Sequence, residues 1–161
     1  MNTEKIKWCL GRKRGIELTE PKPHLSRSYM DEADETLENV FSSKGKWRTI
    51  TAYYACYSAL YSILMRCGIK SEIHECTLEL MCIFEFTESE KRYMAGLKED
   101  RVQAQYYLKK IVLKDEESVK NFVLKCKTIL SGMNSRKIKE ARKWLKEKKP
   151  KGPPLRGRAE H

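Results

Sequence analysis

Apolar positions recur at helical spacing along most of the chain. Leu25, Tyr29, Ala33, Leu37, Val40 and Phe41 form one stripe, with Ser26 or Ser28 available as an N-cap and Asp31, Glu32, Asp34 and Glu35 early in the segment. This predicts a first helix over residues 25–42, ended by the turn-forming run Ser42–Ser43–Lys44–Gly45. The next segment predicts a helix over residues 46–67. Ile50, Tyr53, Tyr54, Tyr57, Leu60, Tyr61 and Leu64 fill one face, while Ala52, Ala55, Cys56, Ala59 and Ser62 put small residues on another. A helix apolar nearly all round is buried on several sides, and its small residues let a neighbour come close. Gly68 stands where such a helix ends.

A third helix is expected over residues 71–86, with Ile73, Leu80, Ile83 and Phe84 inward, then a short segment over 88–97. A fourth is expected over 98–111, where Val102, Gln105, Tyr106 and Lys109 keep near-helical spacing. A fifth begins after the acids Asp115–Glu117 and carries Val119, Phe122, Val123, Cys126, Ile129 and Leu130. Residues 135–149 resume a basic helical pattern with Ile138, Ala141, Trp144 and Leu145 on one side. Neither strand-like alternation nor an internal repeat is visible. The expected class is all-α: an up-and-down bundle of four to five helices over residues 25–130, followed by a basic helical extension over 131–149. Gly11, Gly15, Pro21 and Pro23 break residues 1–24 into an irregular arm, though Ile6, Trp8, Leu10, Ile16 and Leu18 can pack. Residues 150–161 read as a disordered tail.

Composition agrees with one domain, since 161 residues with 40% hydrophobic side chains can fill a single core. The start, MNTEKIKW, lacks the apolar run of a signal peptide. The longest uncharged stretch, residues 49–65, falls short of the about 20 apolar residues of a membrane span and holds four tyrosines. A cytoplasmic chain without membrane contact is expected. Cys9, Cys56, Cys67, Cys76, Cys82 and Cys126 include no CxxC pair, and most lie in apolar helical pattern. They are expected to be free, buried thiols in a reducing compartment, with no metal and no cofactor. Neither a phosphate-binding GxxxxGK[ST] loop, nor HExxH, nor GxGxxG is present.

Charge is unevenly distributed. Residues 1–30 hold seven Lys and Arg against three Glu, for +4; residues 131–161 hold eleven against three, for +8. The middle, with fifteen against sixteen, is −1, so the positive charge of the +11 total sits at the two ends. Such ends can neutralise phosphates with release of counterions, or can simply be solvated faces. Lys137, Arg142 and Lys146 are the candidate phosphate contacts in the C-terminal run, where Trp144 is the only aromatic.

The stretch GKWRTITAYYACYSALYSILMRCGIKSEIHE, with Tyr53, Tyr54, Ala55, Ala59, Leu64, Gly68, Ile69 and His74 at its key positions, resembles the central helix pair of HEPN domains. The segment Arg101–Tyr106 is similar to an Arg, three residues, acid, Tyr segment of an archaeal and bacterial HEPN-like subgroup, with Gln105 where the acid stands. The stretch CLGRKRGIELTEP looks like that subgroup's N-terminal arm. The resemblance covers residues 6–130. It implies a helical bundle that dimerises, partners a small nucleotidyltransferase in a toxin–antitoxin-like pair, and contacts nucleotide or RNA. Many such domains are metal-independent ribonucleases that use an Arg, four to six residues, then a His. Within the residues the resemblance covers, 6–130, no pair keeps that spacing; Arg66 and His74 are separated by seven residues, with Gly68 between them. In a ribonuclease reading these two are the catalytic candidates, His74 moving a proton and Arg66 stabilising the charged intermediate. The plainer role for His74 is to hold the loop before the third helix. Arg101 is a candidate for nucleotide or RNA phosphate, or else pairs with an acid at the bundle rim. Tyr106, about 140° round the helix from it, is expected to pack away from it.

Overall fold

Helix α3 (Lys46–Cys67) is the axis of the molecule. In the computed structural model, which describes residues 2–113 and 115–152, it is wrapped by neighbours along nearly its whole length. Ala52, Tyr53, Ala55, Cys56, Ala59, Leu60, Ile63 and Leu64 are all fully buried. The other elements, in chain order, are α1 (Thr3–Leu10), β1 (Ile16–Leu18), α2 (Pro23–Ser42), β2 (Ile69–Ser71), α4 (His74–Glu79), a single 3-10 turn (Leu80–Ile83), α5 (Glu88–Tyr106), α6 (Glu116–Ser131) and α7 (Ser135–Lys148). The fold is an all-α bundle with one two-stranded antiparallel ribbon, in which Ile16 faces Ser71 and Leu18 faces Ile69.

Small residues let α2 lie tightly against α3. Ser26 Oγ donates to the Ser62 carbonyl at 2.7 Å, and Ser62 Oγ donates back to the Ser26 carbonyl at 2.6 Å. Two hydroxyls can reach main-chain oxygens on facing helices only if the backbones come close, so this pair both requires and satisfies the approach. Around α3 the core divides in two. One apolar cluster joins α2, α3, α5 and α6 through residues such as Ala33, Leu60, Met94 and Phe122. The other joins the C-terminal half of α3 to α1, the ribbon, α4 and α7 through Ile6, Leu64, Ile69, Leu80 and Leu145.

Gly68 ends α3 in the left-handed region, with φ of 68°, and its N–H bonds back toward Leu64 and Met65. A Cβ here would lie 2.4 Å from the Thr19 carbonyl oxygen, so glycine is required both by conformation and by space.

Several expectations are corrected. The N-terminal arm is not irregular: Thr3–Leu10 is helical, capped by the Asn2 side chain, with Ile6 and Cys9 fully buried. An eight-residue helix is marginal alone and exists here because α4 and α7 cover it. Cys9 and Cys76 form a disulfide, whereas Cys56, Cys67, Cys82 and Cys126 are free. A pairing across 67 residues leaves no spacing signature, because only the fold brings the two Cα atoms to 5.7 Å. The expected third helix resolves into β2, α4 and the 3-10 turn. The β-strands are three residues each, too short to show alternation. The segments 88–97 and 98–111 are one helix ending at Tyr106; it starts at a capping box in which the Thr87 hydroxyl accepts from Glu90 N and the Glu90 carboxylate accepts from Thr87 N.

The basic stretch 131–149 is no loose appendage. Leu145 is fully buried, and Arg142 Nη1 donates to the carbonyls of Thr19, Cys67 and Gly68 at 2.7, 3.0 and 3.1 Å. These oxygens include the unpaired end of α3, so Arg142 caps the central helix from a distant segment. Lys149–Gly152 lie outside any helix; the rest of the expected disordered tail, 153–161, lies outside the described residues. Among the described residues, no helix is long and apolar enough to cross a membrane.

The disulfide closes a long loop, and α1 is otherwise held mainly by Ile6 and by Lys5, which pairs with Glu75 and Glu79. Breaking it in the Cys9→Ala/Cys76→Ala variant is expected to lower stability by about 4 kcal/mol on the loop-entropy scale. Urea unfolding of the variant and of the oxidised parent checks this; midpoints that coincide would show that the bond constrains nothing.

Candidate functional site

Three tyrosines of α3 spaced four residues apart, Tyr53, Tyr57 and Tyr61, lie along one side of the helix and reach the segment that follows it. Each hydroxyl finds one partner there. Tyr53 Oη is 2.7 Å from His74 Nδ1, Tyr57 Oη is 3.2 Å from Thr77 Oγ1, and Tyr61 Oη accepts from Ser71 N at 3.1 Å. The rings pack in sequence, with centroids 5.7 and 5.8 Å apart. The imidazole of His74 stacks on Tyr57 at 4.4 Å. His74 is thus gripped by a hydrogen bond on one nitrogen and by a ring on one face.

Arg101 comes to the same tyrosines from α5. It is 6% exposed, with its guanidinium carbon 4.7 Å from the Tyr53 ring centre, 5.7 Å from Tyr54 and 5.8 Å from Tyr106. Its one side-chain hydrogen bond among the described residues is from Nη1 to Gln105 Oε1, at 3.3 Å. Its Nε is buried without an acceptor among the described residues. Among the described residues no carboxylate pairs with Arg101, so the expectation of an acid partner at the bundle rim is corrected: rings, not carboxylates, surround the charge. Tyr106 does not pack away from Arg101 either. It is the last residue of α5, 65% exposed, and lies against the guanidinium.

Electrostatics follow from this enclosure. Burial lowers the His74 pKa below its ordinary 6.5, and the positive charges of Arg101 and Lys98 push it further down, so the imidazole is neutral at pH 7. Burial raises the Tyr53 phenol well above its usual range and lifts Tyr57 to about 12. Tyr53 therefore keeps its proton and can donate it to Nδ1, which leaves the imidazole proton on Nε2. In this state both His74 and Arg101 are hydrogen-bond donors, a pair suited to an anion.

The other sequence candidates lie elsewhere. Arg66 is thirteen residues beyond Tyr53 on α3, or roughly 20 Å along the helix, beside Ser26, Arg27 and Asp31 of α2. Within one chain, Arg66 and His74 do not meet. Lys137 pairs with Glu85 at 3.0 Å, Arg142 is committed to three carbonyls, and Lys146 is exposed beside the N-terminal arm. The site residue that sequence reasoning read as core or dimer seam, and gave no role at the site, is Tyr53. Its signal was the phenol itself: a fully buried tyrosine needs a partner for its hydroxyl, and the nearest polar residues after the helix include His74.

His74 should titrate below 6.5 in the folded chain. Above pH 6.5 both folded and unfolded states hold it neutral and it leaves stability unchanged; as pH falls below 6.5 the unfolded chain takes the proton first, and stability is lost until the folded value is passed. Removing the nearby charge in Arg101→Gln should raise the His74 pKa toward 6.5 and weaken this acid sensitivity. An NMR titration of the imidazole in both proteins measures it; a parent value at or above 6.5 would contradict the enclosure.

Comparison with protein-family models, characterised proteins and solved structures gives no match for this chain, so the chemistry assigned to the cluster stands on its geometry.

Proposed function

We propose that the chain is a HEPN-like binding module that works as a homodimer, receives a phosphate-bearing ligand, nucleotide or RNA, at Arg101, and pairs with a small nucleotidyltransferase in a toxin–antitoxin-like system. The single observation that carries the ligand class is the buried guanidinium of Arg101, which among the described residues has no carboxylate against it and no acceptor at Nε. Taking a charge out of water costs several kcal/mol unless a counter-charge repays it. Cation–π contacts repay part, and a phosphate binding the planar fork would repay more. The exposed Tyr106 would move aside to admit it. The family, dimer and nucleotidyltransferase parts of the reading rest on the resemblance carried by residues 45–75.

Exposed apolar side chains supply a surface for a partner. Phe41 and Trp47 flank the α2–α3 turn, while Tyr107, Leu108 and Val112 lie in the connection after α5. These segments are tied together, because Thr49 Oγ1 donates to the Ile111 carbonyl at 3.4 Å and Arg48 pairs with Glu116 at 2.5 Å. Clustered exposed apolar residues mark an interaction face. A cytoplasmic setting remains part of the proposal and requires the Cys9–Cys76 bond to persist inside a cell, as disulfides of hyperthermophile proteins do.

A second reading, metal-independent ribonuclease, is favoured by one feature: His74 is neutral and lies in the same cluster as an arginine, with Arg101 standing where Arg66 was expected. If Tyr53 accepted from Nδ1 instead of donating, Nε2 would be free to take a proton from a ribose 2′-hydroxyl. The 2′-oxygen would then bond to phosphorus as the bond to the 5′-oxygen breaks, and Arg101 would stabilise the charge on phosphorus.

AMP titrated calorimetrically into the parent should bind, with inorganic phosphate competing, and Arg101→Gln should weaken binding about tenfold or more, the value of a charged hydrogen bond. Equal AMP affinity in that variant would sink the phosphate site. The ribonuclease reading is checked with single-stranded RNA in EDTA, where cutting by the parent should vanish in His74→Ala; cutting that persists in the variant ends it.

A further inference from the structure

We infer that the groove between the N-terminal arm and α7 is a track for the phosphate backbone of single-stranded RNA. The inference rests on the reading of RNA as a ligand, but concerns a surface separate from Arg101. The two basic ends of the chain, +4 over residues 1–30 and +8 over residues 131–161, are distant in sequence, and their described parts are adjacent in the fold, since α1 packs on α7. Between them runs a cleft of about 760 Å³, within the size range of natural ligand sites.

Four cations line it: Arg12 and Lys13 from the arm, Lys146 and Lys149 from the end of α7. Glu17 is the one carboxylate among the lining residues. None of the four cations is in an ion pair among the described residues, although Lys and Arg elsewhere on the surface commonly are. Leu10, Ile16 and Leu145 supply an apolar floor. At the rim Arg12 lies 4.3 Å over the ring of Trp8, which is 37% exposed. Unpaired cations beside an apolar floor, with a cation–aromatic pair next to them, are elements that sequence-tolerant single-strand binders combine.

The walls are fixed beforehand. Arg142 ties α7 to Thr19, and the Cys9–Cys76 bond ties α1 to α4, so little order has to be imposed on the protein by the ligand. Three of the cations, Lys13, Lys146 and Lys149, are exposed. Nothing in the core depends on their charge.

The test is fluorescence anisotropy of a labelled oligouridylate with the full chain. The groove variant is Arg12→Gln/Lys13→Gln/Lys146→Gln/Lys149→Gln. A charge-matched control, Lys44→Gln/Lys109→Gln/Lys110→Gln/Lys120→Gln, removes four exposed lysines elsewhere. The groove variant should lose about tenfold or more in affinity near 0.1 M salt, and its plot of log affinity against log salt should be shallower by about 3, at about 0.7 per phosphate contact. The control should stay near the parent. AMP binding at Arg101 should be unchanged in the groove variant, which separates this inference from the proposed function. If the quadruple variant is poorly folded by circular dichroism, Lys146→Gln/Lys149→Gln should give about half the change in slope. Equal losses in groove variant and control, parental affinity in the groove variant, or parent binding to phosphatidylserine vesicles without binding to the oligouridylate would each overturn it.

Discussion

Three phenol hydroxyls inside a nearly dry helix set the terms for the rest of the molecule. A tyrosine can be buried only if its oxygen is satisfied, and α3 buries or half-buries Tyr53, Tyr57 and Tyr61 in succession. The partners they find, His74, Thr77 and Ser71, all belong to one short stretch of chain. That stretch is consequently laid antiparallel to α1 and along α3 with little freedom. Thr77 sends its own proton to the Ile73 carbonyl, which leaves it an acceptor for Tyr57 and closes the arrangement. The direction of His74 is therefore a consequence of how a helix rich in tyrosine solves its own burial problem.

The C-terminal end of the same helix organises the other half of the fold. An α-helix leaves carbonyls without intrahelical donors at its last turn. Here Gly68 turns the chain back into the ribbon, and Arg142 arrives from α7 to bond the carbonyls of Cys67 and Gly68 together with that of Thr19. One side chain thus joins the arm, the central helix and the last helix. This explains why a strongly basic stretch is built into the domain instead of trailing from it: its Arg142 supplies a charged, multi-donor group to carbonyls that the backbone leaves open.

What the sequence made legible were the long amphipathic helices. The stripe of Leu25–Phe41 and the all-round apolar character of residues 46–67 are strong periodic signals, and both helices form within two residues of the expected bounds. Short elements were not legible. Thr3–Leu10 and the three-residue strands depend on partners far away in the chain, so their local pattern is weak. The Cys9–Cys76 bond was invisible for the same reason. At the candidate site, Arg101 and His74 were both picked out, but the tyrosines they meet within one chain were not. Helical angles alone separate Arg101 from Tyr106, yet a long guanidinium can reach a ring at the last turn. Arg66 and His74 are close in sequence because a chain reversal follows Arg66, and that reversal sends His74 back along α3 toward Tyr53.

The two proposed surfaces are linked by the disulfide. Cys76 is two residues from His74, in the segment held by the tyrosine ladder, and Cys9 adjoins Leu10 in the floor of the basic groove. The bond lies within a fully buried cluster, with Ile6, Leu64 and Leu80 around it. The bond therefore joins the arm that forms one wall of the groove covalently to the segment that carries His74. The nearly neutral middle of the chain carries the Arg101 cluster, and the positive ends carry the groove. A polyanion would be gathered by the ends through long-range attraction, whereas a single phosphate would be discriminated at the buried arginine, where water is excluded and geometry decides.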